Sequence, residues 1–199
     1  MARWAPAKAD ILDELVGEIQ HNYPRGRVTV AVDGLTGSGT GPFADDLADA
    51  FRRRGTQVVR ASIADFPAAL PQGDAAVPRF YAEAHDYDAF KDQLARPFRR
   101  EKPFALVPGG DPRTLEGDAV LIVDGVFLLR PELIGSWSST VVLFVPADEA
   151  FARAGLDPSS IRAQAEELYL DRVQPRVKAI ANVDNTDPEH PRRTFADSC

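Results

Sequence analysis

The chain has 199 residues, 44% of them hydrophobic, and a formal net charge of −7. That length makes one domain with a real core, and the acidic balance excludes a nucleic-acid partner, which would need clustered Lys and Arg. The single cysteine, Cys199, excludes a disulfide framework, and no apolar run approaches the ~20 residues that span a bilayer.

In chain order, Ile11, Leu15 and Ile19, with Leu12 and Val16 beside them, predict an amphipathic helix over 7–23, ended by Pro24 and Gly26. The stretch Met1 to Lys8 lacks the apolar core of a signal peptide, so the expectation is a cytoplasmic protein. Val28 to Asp33 reads as a buried strand, and Gly34 to Gly41 as a glycine-rich loop. Phe43, Leu47 and Phe51 then recur at helical spacing, with Pro42 in the first turn where its missing N–H costs nothing. The short basic runs Arg52-Arg53-Arg54 and Arg96 to Lys102 read as solvated helix faces. A second strand is expected over Gln57 to Ile63, a loop over 67–79, a helix over Asp86 to Leu94 and a surface crossing over 97–117. Ala119 to Asp124 and Thr140 to Val145 read as buried strands, 147–154 and 161–173 as helices, and Ala179 to Val183 as a last short strand. The polar tail 184–199 is expected along the surface or fraying. Apolar strands separated by helices give a parallel sheet covered on both faces.

The loop is where chemistry is legible. A phosphate-binding P-loop reads G-x-x-x-x-G-K-[ST]: backbone amides cradle phosphate, the lysine neutralises it and the hydroxyl holds Mg²⁺. Gly34-Leu35-Thr36-Gly37-Ser38-Gly39 fits the first six places, but Thr40 and Gly41 stand where Lys and Ser/Thr belong. Three readings stand: an anion site of backbone amides at a helix N-terminus, a weak nucleotide site without Mg²⁺ in the usual place, or a structural relic. The candidate anion-binding residues are Gly34, Thr36, Gly37, Ser38, Gly39, Thr40 and Gly41.

At these residues the chain resembles the uridine kinase family, most closely bacterial uridine-kinase-like proteins. The resemblance runs from about Val28 to Asp187. It is carried by Val30 to Gly39, Arg60-Ala61-Ser62, Phe80-Tyr81, Asp86-Tyr87-Asp88-Ala89-Phe90, Val123 to Leu133 and Val183 to Pro188. It implies an α/β P-loop, NMP-kinase-like three-layer fold with a five-stranded parallel sheet and a lid over 155–175, shortened here. It also implies phosphorylation of the 5′-hydroxyl of uridine or cytidine with ATP and Mg²⁺.

The departures fall where that chemistry would lie. The family's Ser-x-Asp after strand two, whose Asp accepts the substrate proton, is here Ser62-Ile63-Ala64, with Asp65 one residue later. Lid arginines before Leu-Tyr-Leu are replaced by Ala165-Glu166-Glu167, an acidic pair that would repel a triphosphate, while Arg153 and Arg162 remain, each equally readable as an ordinary surface arginine. Asp86 matches the family's ribose-holding aspartate and equally suits a helix N-cap. His85 borders the pocket, Tyr81 and Phe80 wall it or fill core, and Asp124 ends a strand where a carboxylate could hold Mg²⁺ through water or equally face solvent as a strand-end residue. His21 and His190 lack metal-ligand spacing, and no metal site is expected. The candidate catalytic residues are Asp65, Asp86 and His85, and the candidate substrate-binding residues are Asp86, Tyr81, Phe80 and Arg153.

The reading favoured by these departures is a uridine-kinase-like protein that has lost ATP-dependent transfer. It keeps a pocket for a nucleoside, sugar or phosphate-bearing metabolite, used for binding or repurposed chemistry. The alternative is an active nucleoside or small-molecule kinase with an unorthodox loop, which alone would call for ATP and Mg²⁺.

Overall fold

Alternate residues of β1 (Arg27–Asp33) enter two different cores, which places the strand at the centre of the molecule. Val28, Val30 and Val32 pack against α1 (Lys8–Asn22) and α2 (Thr40–Arg53), while Ala31 faces the opposite layer. This period-two division explains why the strand reads as an unbroken apolar run: both faces are covered. The computed structural model describes residues 7–68 and 76–195. The expectations for Cys199, for Met1 to Pro6 and for the loop at 69–75 lie outside the described residues.

The sheet contains β2 (Gln57–Ser62), β3 (Ala119–Gly125), β4 (Ser139–Phe144), β5 (Ala181–Asp184) and β6 (Arg192–Thr194), in the order β2-β3-β1-β4-β5-β6. β1 to β5 are mutually parallel, and β6 runs antiparallel to β5. The expected five parallel strands are therefore joined by a sixth inside the segment read as a surface tail. Three polar residues carry no strand periodicity, so the signal was tertiary: Arg193 is drawn onto Glu14 and Glu18 of α1 while the backbone pairs with β5.

The second layer consists of α3 (Ala76–Glu83), the helical run from α4 (Tyr87–Ala89) through a π-helical stretch (Phe90–Ala95) into α5 (Arg96–Arg99), and α8 (Ile161–Val173). α3 begins inside a segment expected to be loop, because Val77, Phe80 and Tyr81 find apolar partners only after folding. The helical run ends five residues later than expected, at Arg99, because Phe98 is buried. Three short helices lie in the remaining connections: α6 (Pro131–Ile134) between β3 and β4, α7 (Ala147–Ala154) after β4, and α9 (Pro175–Lys178) before β5. No helix among the described residues is long and apolar enough to cross a membrane.

β1 connects past β3 to β2, and β3 connects past β1 to β4, so the strand order reverses at the β1–β3 boundary. In open α/β sheets, the carboxyl ends of strands at such a point form the binding crevice.

Candidate functional site

β1 delivers the buried Asp33 to that crevice, and the chain turns at once into the glycine loop. The Gly34 amide donates to the Gly125 carbonyl at 3.2 Å, tying the loop to the end of β3. Gly37 and Gly39 take φ of 87° and 86°, the left-handed region that glycine enters freely. A Cβ at Gly37 would lie 1.9 Å from the Ala150 carbonyl oxygen, so α7 presses directly on the loop. Asn185, after β5, donates from Nδ2 to the Ser38 carbonyl at 2.8 Å. Thr40 and Gly41 open α2, and their amides belong to the first turn, which has no intrahelical acceptors. Among the described residues, the Gly37 and Gly39 amides also donate to no backbone carbonyl. The result is a concave set of amides at a helix N-terminus, the geometry that binds anions.

A cavity of about 220 Å³ lies over this loop, lined by Thr36, Thr40, Ser62, Ala64, His85, Asp124 and Arg162 among others. Three features define its electrostatics. The Arg60 guanidinium reaches along β2 to the Asp124 carboxylate at 2.9 Å and also contacts Asp45 at 2.9 Å. The Glu166 carboxylate from α8, fully buried, accepts from the Thr36 amide at 2.8 Å and from the Thr36 hydroxyl at 2.5 Å. Arg162, one turn earlier, donates from Nε to Glu166 at 3.1 Å.

Under the loop, burial pushes the Asp33 carboxyl up to about 7, against the opposing hydrogen bonds from the Tyr169 hydroxyl and the Leu128 amide. Burial, then Arg162 and Arg130, pulls His85 down to about 4, so it stands in the cleft as a neutral imidazole. Its Nδ1 is buried without a hydrogen-bond partner among the described residues. Phe127, held at φ 70° and fully buried, packs edge-on against both Tyr81 and Tyr169 and so links α3 to α8.

No protein-family model and no curated protein sequence matches the chain. Solved structures do. A possible uridine kinase from Bacillus stearothermophilus superposes with a TM-score of 0.70 at 23% identity, over 87% of this chain and 97% of that one. A protein proposed to be a fructose transport system kinase from Silicibacter sp. TM1040 superposes with a TM-score of 0.54 at 20% identity, over 79% and 94%. The fold is that of the P-loop kinases.

Within this P-loop kinase fold, the loop residues Gly34, Thr36, Gly37 and Thr40 line the cleft, as does His85. The other candidate catalytic residues stand outside it. Asp65 is exposed and turns back to accept from the Ser62 amide at 3.3 Å, capping the 3₁₀ turn Ile63–Asp65. Ala64 occupies the cleft wall instead. Asp86 accepts from the Ala89 amide at 2.8 Å and so caps α4. It lies on the rim of a second, wider cavity shared with His85, Tyr87, Lys91, Arg130 and Glu132. Tyr81 and Phe80 pack on the core under that cavity. Arg153 donates to the carbonyls of Asn185 and Thr186 behind the loop, so it braces backbone there.

Four residues gain roles that their sequence positions did not announce. Arg60 sits in a strand where its exposure alternates with Ala61, and nothing in the pattern shows that its tip reaches Asp124. Glu166 and Glu167 read as one acidic pair, but adjacent helical positions diverge by about 100°. Glu166 is buried in the loop while Glu167 is exposed. Arg130 lies over Tyr87 at 4.2 Å and over Tyr81 at 5.1 Å, closing the second cavity. The Tyr169 hydroxyl ties α8 to Asp33.

The residues present do not fit ATP and Mg²⁺ bound in the usual way. Position eight of the loop is Gly41, which brings no hydroxyl, and a Cβ there would point to within 3.7 Å of Asp124 Oδ2. The carboxylate is already neutralised by Arg60. Position seven, Thr40, brings no ammonium, and the Glu166–Arg162 pair at the loop adds no net positive charge.

Proposed function

We propose that this chain is a P-loop-kinase-fold protein that holds a small polar metabolite, nucleoside- or sugar-like or phosphate-bearing, and does not transfer phosphoryl groups from ATP. The observation that carries the reading is the Arg60–Asp124 pair opposite Gly41. It takes the carboxylate that would hold Mg²⁺ at the point where the loop has lost its own Mg²⁺ ligand. Phosphoryl transfer depends on positioning and charge neutralisation, so this arrangement removes its principal source of stabilisation. Ala64 on the cleft wall removes the carboxylate base as well, a loss of about 10²–10⁴-fold by itself. The pocket reading draws on the neutral His85 and its unpaired Nδ1, and on the polar second cavity beside it.

The test is turnover. Purified protein with ATP–Mg²⁺ and a panel of nucleosides and sugars should give no transfer, while a thermal-shift screen of nucleosides, nucleotides and sugar phosphates should find a stabilising ligand. Turnover near ~1 s⁻¹, the low end for kinases, rejects the reading.

One observation favours a second reading, an active nucleoside or small-molecule kinase with an unorthodox loop. Arg162 lines the cleft and could supply the cation that Thr40 does not. Under that reading Arg162→Ala abolishes turnover measured in the same assay.

A further inference from the structure

A fully buried carboxylate is costly unless its charge is answered, and α8 spends one on the glycine loop. Glu166 crosses from a helix 130 residues away to reach Thr36, using both its oxygens: one takes the backbone N–H, the other the hydroxyl. The only other group it engages among the described residues is Arg162 of its own helix. Amide and hydroxyl donors converging on two anionic oxygens, with a guanidinium closing the far side, are what a bound phosphate or carboxylate would receive. Here the chain supplies that anion itself.

We propose that Glu166 is an internal anion that holds the glycine loop shut, and that a ligand's phosphate or carboxylate group enters by displacing it. This deepens the reading of the cleft as a ligand site, and rests on it. Two points support displacement over a purely structural tie. Among the described residues, the amides of Gly37, Gly39, Thr40 and Gly41 donate to no backbone carbonyl, so the loop has donor capacity that Glu166 does not use. The side chain of Arg162 is about half exposed (48%), so its charge is accessible to an incoming anion once Glu166 swings out. Release of Glu166 leaves Arg162 facing the loop without its partner, turning a neutral pair into a cationic site.

The experiment titrates inorganic phosphate, without Mg²⁺, by calorimetry into the full chain and into Glu166→Ala, Glu166→Gln and Glu167→Ala, with a melting curve for each. Glu166→Gln keeps the volume and an acceptor for Thr36 while removing the charge, so it covers the case in which Glu166→Ala does not fold. Expected is a gain of at least tenfold in phosphate affinity for either Glu166 variant and a change under twofold for Glu167→Ala, whose charge is exposed. Equal phosphate binding by the native chain and the Glu166 variants overturns the proposal, as does absence of phosphate binding in every folded variant, or an equal gain from Glu167→Ala. The same variants assayed with ATP–Mg²⁺ keep the two readings apart. Transfer by Glu166→Ala would reject the loss of phosphoryl transfer and leave the displaced carboxylate standing, whereas unchanged phosphate affinity rejects the displacement alone.

Discussion

The Arg60 guanidinium lies 2.9 Å from the Asp124 carboxylate, with both side chains largely buried, and it joins the end of β2 to the end of β3 beneath the cleft. Removing one partner of such a pair leaves the other without compensation. Asp124→Ala should therefore cost stability, by about 2–3 kcal/mol, less than a fully buried pair because Asp45 still engages Arg60. Gly41→Ser, by contrast, should be tolerated: its Cβ makes ordinary contact with Asp124, and it replaces a glycine in the first turn of α2. Urea unfolding of the two variants checks the pair. Equal midpoints would mean that Arg60 and Asp124 do not depend on each other.

Asp86 separates binding from capping. Its carboxylate accepts the Ala89 amide, and Asn caps a helix about as well as Asp. Asp86→Asn should therefore melt close to the native protein, while Asp86→Ala loses about 0.5–2 kcal/mol. A ligand found by screening that weakens with Asp86→Asn by the ~1.5–3 kcal/mol of a charge-assisted bond would show that the carboxylate also faces ligand. Unchanged affinity would leave the cap as its role.

Asp33 and His85 should oppose each other in the pH dependence of stability. Asp33 has a folded pKa raised from 3.8 to about 7, so the folded state holds the extra proton between those values and loses stability as pH rises through that window. His85 has a folded pKa lowered from 6.5 to about 4, so the unfolded state takes up the proton and stability is lost as pH falls through 6.5 toward 4. The native profile should be comparatively flat between pH 5 and 8. Asp33→Asn should make stability rise with pH across that range by about 2 kcal/mol more than in the native protein, and His85→Gln should tilt it the other way. Urea midpoints at pH 5 and pH 8 decide it. Parallel profiles for all three proteins would mean that neither group is perturbed as its burial implies.

The sequence by itself determined the layered α/β plan, the strand–loop–helix that carries the glycines, and the absence of Lys and Ser/Thr at positions seven and eight. These are local: they follow from period-two and period-3.6 patterns and from residue identity at fixed spacing. Gly37 illustrates the reach of such reading: its place in the glycine loop was legible, but its positive φ and the contact with the Ala150 carbonyl that forbids a side chain were not. β6 lay beyond reading because its pairing with β5 and its arginine contacts to α1 join segments distant in the chain. The charges of the cleft were decided by tertiary structure alone. Glu166 and Glu167 look alike in sequence, and helical geometry sends one into the loop and the other into solvent; Arg60 and Asp124 are 64 residues apart, and only the β2–β3 register brings them together. Charge interaction depends on distance and burial, and neither is written in the order of residues along the chain.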